Sequence, residues 1–152
     1  FHTTNDGTSA LDMIFGWARF LAKRGLTSNF TLTLYNDNIT INNQPLTNSR
    51  NVTINGVNGT LYPRNATAAD IISEMRRGEL LVGLYEHKTL GWTHYMAVDN
   101  VNDRPNANGN FNVSFFDPAV GAIIDTEMTG RGSIQIDNGV ANLRALVALS
   151  PR

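Results

Sequence analysis

The sequence predicts an α+β domain in which an N-terminal helix packs on an antiparallel sheet. Two observations lead to this fold class. Apolar residues recur at helical spacing near the N-terminus, and the second half of the chain is a series of alternating runs joined by short polar loops. The chain has 152 residues, of which 41% are hydrophobic. Because this length and composition suit one hydrophobic core, we expect residues 1–152 to form a single domain.

The first element is a helix predicted over residues 8–24. Thr8 or Ser9 can cap its N-terminus, and Asp12 follows Ser9 at the spacing of a capping box. The apolar residues at helical spacing are Leu11, Ile14, Phe15, Ala18 and Leu21. Gly25 favours the end of the helix directly after it. This apolar face is broad, so we expect the helix to be buried against a large surface.

Residues 29–62 differ in character from the helix before them. Two runs alternate between apolar and polar residues, FTLTLYNDNITI and NVTINGVNGTLY, and Asn-Asp, Asn-Asn and Asn-Gly pairs interrupt the chain. Such pairs form tight turns, so the segment is predicted to be a β-hairpin-rich insertion. A second helix is predicted over residues 66–77, capped by Thr67 and ended by Gly78.

Strands are predicted throughout the remaining chain. The alternating runs are ELLVGLYE, THYMAVDNV, NFNVSFFD, AIIDTEM and NLRALVALS. A polar segment, NDRPNANGN, joins the second run to the third and has the composition of a hairpin loop. Sequential strands with short loops favour antiparallel pairing, which provides the sheet on which the N-terminal helix would pack.

The composition excludes several classes of function. The formal net charge is −1 and no basic stripe is present, which argues against a nucleic-acid partner. No apolar run approaches the roughly 20 residues that a membrane-spanning helix needs. The chain contains no cysteine, which excludes disulfide bonds and thiolate metal sites. A glycine-rich phosphate loop is absent from the sequence too, and we expect neither a cofactor nor a metal.

The polar residues favour a secreted or exported protein. Asparagine, threonine and glycine are abundant, whereas lysine is scarce. Six N-x-[ST] triplets begin at Asn29, Asn38, Asn51, Asn58, Asn65 and Asn112. They are glycan acceptors in a eukaryotic secreted protein, and chance products of composition in an Asn/Thr-rich bacterial exported protein. Both interpretations predict an extracellular chain.

A histidine and an aspartate stand at the ends of two predicted neighbouring strands. His94 lies at the start of THYMAVDNV, and Asp117 ends NFNVSFFD. In adjacent antiparallel strands the two side chains come within hydrogen-bond reach. A carboxylate that accepts from one imidazole nitrogen fixes the tautomer and raises the basicity of the other nitrogen, which can then activate a nucleophile. The N-terminus of the 8–24 helix suits such a nucleophile, because the helix dipole lowers its pKa.

Four segments, in this order, resemble papain-like cysteine proteases of bacteria. They are GTSALDMI, RRGELLVGLYE, THYMAVDNV and FFDPAVG. The resemblance around them extends over residues 5–24 and 70–125. The pattern is similar to that of bacteriocin-leader-processing peptidases, the streptococcal immunoglobulin-cleaving protease and effector proteases of pathogens. The resemblance implies a papain-like fold with 29–62 as an insertion, and cleavage of a polypeptide substrate with His94 as base and Asp117 as its orienting carboxylate.

The chain departs from this family at the nucleophile. The positions that align with the catalytic cysteine are Asp6 in the leader-peptidase pattern and Ser9 in the effector pattern. Ser9 is either a substituted cysteine or a natural helix cap. Asn5 or His2 would have to replace the glutamine that such enzymes use as an oxyanion donor. With no cysteine, the chain is expected to be inactive as a thiol protease.

Other residues around His94 have two interpretations each. Trp92 and Tyr95 are core aromatics or walls of a substrate cleft. Glu86 is a second carboxylate that could reach His94, but Asp117 is preferred because its position matches the resemblance. Asp99 lies too far along the strand. His87 is predicted in an exposed loop, and a metal site built from His87, His94 and Asp117 is disfavoured because the spacing matches no known signature.

Three functions are consistent with these observations. The first is a papain-like protease domain without its nucleophile. The second is a pseudoenzyme that binds a polypeptide segment without cutting it. The third is an adhesive or structural module of an exported protein, in which residues 29–62 form the working surface. The sequence gives no indication of the oligomeric state.

Overall fold

The structure is a computed structural model, and it describes residues 10–152. Within these residues the elements are α1 (Ala10–Lys23), β1 (Phe30–Asn36), β2 (Thr40–Ile41), β3 (Gln44–Pro45), β4 (Arg50–Ile54), β5 (Val57–Tyr62), α2 (Ala68–Arg76), β6 (Leu80–His87), β7 (Thr93–Val101), β8 (Phe111–Asp117), β9 (Ala122–Met128), β10 (Ile134–Ile136) and β11 (Gly139–Pro151). The short strands β2 and β3 pair only with each other, and the other strands form one large sheet.

The large sheet closes on itself to form a barrel. Its strand order is β10-β9-β8-β7-β6-β11-β1-β5-β4, and β10 also pairs with β11. Strands β6 to β11 therefore form a closed six-stranded antiparallel barrel. Ile134 is the residue at the closure, because it pairs with Met128 on β9 and with Ala141 on β11. Full closure leaves no free edge in this part of the sheet.

Strand β11 belongs to the barrel and to a sheet extension at the same time. One of its edges pairs with β6, whereas the other pairs first with β10 and then, from Ala145 to Pro151, with β1. The extension continues with β5, which is parallel to β1, and ends with β4, which is antiparallel to β5. Thus the segment predicted as a separate insertion over residues 29–62 adds three strands to the main sheet.

Two hydrophobic cores lie on opposite sides of β11. The barrel core contains, among others, Tyr85, Met96, Phe115, Met128, Ile134 and Leu146. The second core fills the space between α1 and the extension, and it contains Ile14, Trp17, Leu21, Leu32, Leu34 and Leu61. The alternation of β-strand side chains explains the division, since neighbouring residues of β11 point into different cores: Leu146 faces the barrel, and Val147 faces α1.

The second helix starts as its sequence predicts. The Thr67 hydroxyl accepts a hydrogen bond from the Asp70 backbone N–H, and the Asp70 carboxylate accepts the Thr67 backbone N–H at 2.8 Å. This reciprocal pair is a capping box, and it satisfies two amide groups that the first helical turn leaves without partners. The prediction that Thr67 caps the helix is confirmed. The Asp70 carboxylate also binds both terminal nitrogens of Arg64.

The predicted papain-like α+β fold is wrong. Strands account for 48% of the structure and helices for 16%, and the sheet closes into a barrel instead of remaining an open sheet with a helix packed on it. Alternating runs predict antiparallel pairing, but they do not reveal that the three-residue strand Ile134–Ile136 bridges β9 and β11. This β-barrel-rich fold also conflicts with the papain-like protease class that the resemblance implied.

Two adjacent phenylalanines of β8 test which side chains of this strand point into the barrel and which point outward. Phe115 is fully buried and contacts the Tyr85 ring edge-on at 5.4 Å, whereas Phe116 is 42% exposed. We expect Phe115→Ala to lower the free energy of unfolding by about 3–5 kcal/mol and Phe116→Ala to change it by less than about 1 kcal/mol. Urea unfolding of both variants measures the difference. Equal losses would contradict this orientation of β8.

Candidate functional site

One end of the barrel carries the predicted histidine–aspartate pair. His94 is paired with the buried Tyr85 across β6 and β7, so its ring lies on the barrel side of the strand. Asp117 is buried at the end of β8, on the same side as Phe115. The distance from His94 Nε2 to Asp117 Oδ1 is 2.5 Å. The predicted contact is therefore present, whereas the catalytic role of the pair stays a prediction.

The turn that follows β8 holds the aspartate in place. Asp117 Oδ1 accepts the backbone N–H of Ala119 at 2.9 Å, and its carbonyl oxygen accepts the N–H of Gly121 at 2.8 Å. Gly121 has a φ of 65°, a conformation that glycine adopts without steric cost. The Asp-Pro-x-x-Gly sequence thus serves as a turn and fixes the direction of the carboxylate.

The orientation of the carboxylate decides which imidazole nitrogen is open. Asp117 Oδ1 is a hydrogen-bond acceptor, so the Nε2–H of His94 donates to it, and Nδ1 of the neutral ring keeps its lone pair. Among residues 10–152, no group forms a hydrogen bond with Nδ1. The His94 side chain is 28% exposed. A ligand can therefore reach an imidazole that is already oriented.

The two aromatic residues near His94 lie on different faces of the sheet. The Trp92 ring meets the His94 ring edge-on, with centroids 6.1 Å apart, and packs against the barrel core. Tyr95 follows His94 by one residue, so it points away from the barrel and packs in the core beneath α1. Burial, with a contribution from the Asp12 charge, raises the pKa of Tyr95 to about 12. Of these two aromatic residues, Trp92 is the one that flanks the imidazole.

The other carboxylates near His94 in sequence do not contact its ring. Glu86 is exposed on the strand face opposite to that of Tyr85. Asp99 accepts a hydrogen bond from the Ser114 hydroxyl at 3.1 Å. The candidate nucleophile positions Asp6 and Ser9, and the candidate oxyanion donor Asn5, lie outside the described residues.

His87 is a structural residue of the same barrel end. Its Nδ1 accepts the backbone N–H groups of Thr89 and Leu90, at 3.2 and 3.0 Å, so its Nε2–H donates to the carbonyl oxygen of Ile136 at 3.0 Å. The ring is buried, which corrects the prediction of an exposed loop. Both nitrogens are occupied, so His87 cannot bind a metal beside His94. The described part of the chain contains no group of three or more acidic or histidine side chains that could hold a metal ion.

Exposed apolar side chains lie on the two turns at this end of the barrel. Leu90, in the turn between β6 and β7, is 60% exposed, and Val120, in the turn between β8 and β9, is 67% exposed. Each turn also contributes to the pair: the first leads into His94, and the second fixes Asp117. Large apolar groups at such exposure lose contact with water when a ligand covers them, which favours binding.

Comparison with known proteins gives no match for this chain. Models of protein families, curated proteins and solved structures all show no significant similarity to it. In residues 10–152, no helix has the length and apolar character required to cross a membrane.

A second buried polar cluster lies at the opposite end of β6. Glu74 on α2 and Glu79, which precedes β6, are both buried, and the Tyr35 hydroxyl donates to Glu74 Oε1 at 2.9 Å. Arg77 approaches both carboxylates, at 3.8 and 3.9 Å, from the exposed side. Burial and the hydrogen bond with Glu74 raise the pKa of Glu79 to about 7. Glu79 therefore keeps its proton to a higher pH than an exposed glutamate does.

Sequence reasoning missed this cluster. Glu74 follows Ile71 by three residues and so lies on the same face of α2 as that buried residue, and Glu79 stands directly before an apolar strand. Both positions are signals of burial. Their proximity depends on the turn between α2 and β6, whose geometry is not contained in the periodicity of either element.

The orientation of His94 can be tested by the position of its proton. Long-range ¹H–¹⁵N correlation at a pH where the ring is neutral should show the Nε2–H tautomer in the wild type, because Asp117 accepts that proton. Asp117→Ala should abolish the preference. Asp99→Ala is the matched control, since Asp99 lies on the strand of His94 without contacting its ring. An unchanged tautomer in Asp117→Ala would contradict the pairing.

The raised pKa of Glu79 predicts that the free energy of unfolding depends on pH. The pKa of Glu79 is raised in the folded protein, so the folded state binds this proton more tightly than the unfolded chain does. Its stabilising contribution is complete below the unfolded pKa of about 4.5 and is lost as the pH rises through about 7. We expect Glu79→Gln to flatten the free energy of unfolding across this range, because a glutamine amide donates to Glu74 at every pH.

Urea titrations between pH 4 and pH 8 would measure this effect. Glu86→Gln is the matched control, because Glu86 is an exposed glutamate near the other end of β6, the strand that Glu79 precedes. The control should keep the slope of the wild type. If the free energy of unfolding of Glu79→Gln changed with pH as steeply as that of the wild type, the pKa of Glu79 would not be raised by folding.

Proposed function

We propose that the chain is a polypeptide-binding module whose binding site is the barrel end that carries His94 and Asp117. The bound segment donates a backbone or side-chain N–H or O–H to His94 Nδ1. Its apolar side chains pack on Trp92, Leu90 and Val120. The single observation that carries the proposal is an imidazole oriented by a buried aspartate, with no partner for its second nitrogen within residues 10–152 and apolar side chains exposed on the two turns at the same barrel end.

The fixed orientation of the imidazole supports recognition. A side chain that is already held in one rotamer loses little conformational entropy when a ligand binds to it. His94 is held by Asp117, and Asp117 is held by the Ala119 amide. The open nitrogen thus has a defined direction, which selects ligands with a donor at one position. Apolar contacts with Leu90 and Val120 add affinity without strict sequence preference.

The described residues favour binding over catalysis. General-base catalysis by His94 requires a nucleophile within hydrogen-bond reach of Nδ1. No serine or threonine of residues 10–152 forms a hydrogen bond with that atom, and the chain has no cysteine. A polypeptide ligand also suits the apolar character of the two turns better than a phosphorylated ligand does, because no cationic side chain among residues 10–152 forms a salt bridge with Asp117 other than His94 itself.

A second candidate function is adhesion through the polar face of the sheet extension. Six uncharged side chains, Thr31, Thr33, Asn51, Thr53, Asn58 and Thr60, line a groove of about 430 Å³ across β1, β5 and β4. Two cross-strand hydrogen bonds hold the rows together, Thr53 with Asn58 and Thr60 with Asn51. The regular array of hydroxyl and amide groups favours a neutral hydrogen-bonding ligand.

Binding to an array of random-sequence peptides tests the proposed function. The wild-type protein should bind peptides rich in apolar residues, and mass spectrometry should show these peptides intact. Leu90→Ser should weaken binding about tenfold, because it removes apolar area from the site. His94→Ala should weaken it about threefold to tenfold through the loss of one hydrogen bond.

Leu80→Ser is the matched control for this experiment, because Leu80 is another exposed leucine, 49% exposed, at the far end of β6. It should leave peptide binding unchanged. Binding that is insensitive to His94 and Leu90 but is lost on Thr33→Val or Thr60→Val would favour the adhesive face instead. Cleavage of bound peptides would contradict a module that only binds.

A further inference from the structure

A groove separates α1 from the outer hairpin of the sheet extension. It has a volume of about 1260 Å³, and it is lined by α1 on one side and by the end of β4 with its turn on the other. The turn residue Asn55 has a φ of 49° and is followed by Gly56 at 83°, so the hairpin reverses tightly beside the helix. Strands β11 and β6 separate the extension from β7, the strand that carries His94.

The helix side of the groove exposes two large aromatic side chains. Phe15 and Phe20 are 40% and 51% exposed, although α1 buries its opposite face in a well-packed core. Phe20 is also covered by the Arg24 guanidinium, 3.8 Å from the ring centroid. A helix that only covers a core needs polar residues at these positions. The two phenylalanines are therefore available as an apolar contact surface.

The same side of the groove is strongly cationic. Arg19, Lys23 and Arg24 line it within two helical turns, against one acidic side chain, Asp12, and none of the three cations forms a salt bridge within residues 10–152. The negative end of the helix dipole explains cations in the last turn, such as Lys23, but not Arg19 one turn earlier. The net charge of the whole chain is −1, so this concentration of positive charge is a local feature.

The other side of the groove is the free edge of the sheet. Strand β4 is the last strand of the large sheet in the described part of the chain, and it pairs only with β5. Its outer edge leaves backbone N–H and C=O groups open to a further strand. An added strand would lie directly beside the cationic face of α1.

We propose that this groove binds an extended acidic polypeptide segment with an apolar or aromatic side chain. The segment pairs with the free edge of β4, which is a common mode of peptide recognition. Its carboxylates contact Arg19, Lys23 and Arg24, and its apolar side chain packs on Phe15 or Phe20. Charge complementarity selects this occupant, because three cations and one carboxylate line the groove, so that an acidic strand is attracted and a basic one is repelled.

Fluorescence anisotropy with a labelled peptide of about 12 residues, composed of Glu, Asp and Phe, tests the proposal. We expect saturable binding that weakens as salt is added, because the contacts are ionic. The double variant Arg19→Glu/Lys23→Glu should weaken binding by about tenfold or more, since two attractive contacts become repulsive. A peptide with Lys in place of Glu and Asp should not bind.

A matched double variant controls for net charge. Arg104→Glu/Arg131→Glu changes the charge by the same amount in exposed loops elsewhere, and it should bind the acidic peptide like the wild type. In the complex, the backbone amides of β4 should gain protection from hydrogen exchange. Equal losses in both double variants, or no protection of β4, would overturn the proposal.

Two further measurements distinguish other occupants and the other site. Vesicles of phosphatidylserine and phosphatidylcholine that bind through Arg19 and Lys23, with no binding of the acidic peptide, would show a membrane surface instead and overturn the proposal. Concentration-dependent dimerisation that Phe20→Ser abolishes, again without peptide binding, would show a second copy and overturn it as well. His94→Ala should leave acidic-peptide binding unchanged, so failure of the barrel-end function and failure of the groove are separable.

Discussion

Closure of the barrel by β10 is the constraint on which the rest of the structure depends. This strand is only three residues long, yet Ile134 connects β9 to β11 and so closes the barrel. Closure encloses the core around Tyr85, Met96 and Phe115. It also removes two strand edges that would otherwise expose unpaired backbone groups. Without β10, strand β9 would end the sheet with no connection to β11, and the barrel core would be open to water on one side.

The geometry of the histidine–aspartate pair depends on this closure. The carbonyl group that receives the His87 Nε2–H belongs to Ile136, the last residue of β10. His87 in turn accepts two amides of the turn that leads to Trp92 and His94. The closing strand thus fixes the turn before β7, and the turn after Asp117 fixes the end of β8. The imidazole of His94 lies between two turns that are each held by backbone hydrogen bonds.

The sequence predicts the local features of this structure well. The range 8–24 agrees with α1 over Ala10–Lys23, Thr67 forms its capping box, and the alternating runs become β6 to β9 and the long β11. The contact between His94 and Asp117 follows from their positions at adjoining strand ends. In each case the determining interaction lies within one element or between sequential neighbours, so the period of the sequence contains it.

The features that the sequence does not predict depend on contacts between distant residues. The bridge at Ile134 and the parallel pairing of β1 with β5 are not encoded in any local pattern. Burial of His87 depends on the carbonyl group of Ile136, and burial of Glu74 depends on Tyr35 and Glu79. The papain-like fold was predicted from the order of motifs along the chain. Motif order reflects the strands and their ends, but it contains no information on how the sheet closes.

Cross-strand nuclear Overhauser effects of Ile134 test the closure most directly. Its backbone protons should show contacts with Met128 on one side and with Ala141 on the other in the same folded protein. Contacts on both sides are the predicted result, and they would establish the closed six-stranded barrel together with the geometry of its His94–Asp117 end. Contacts with only one of the two strands would show an open sheet and would contradict the architecture described above.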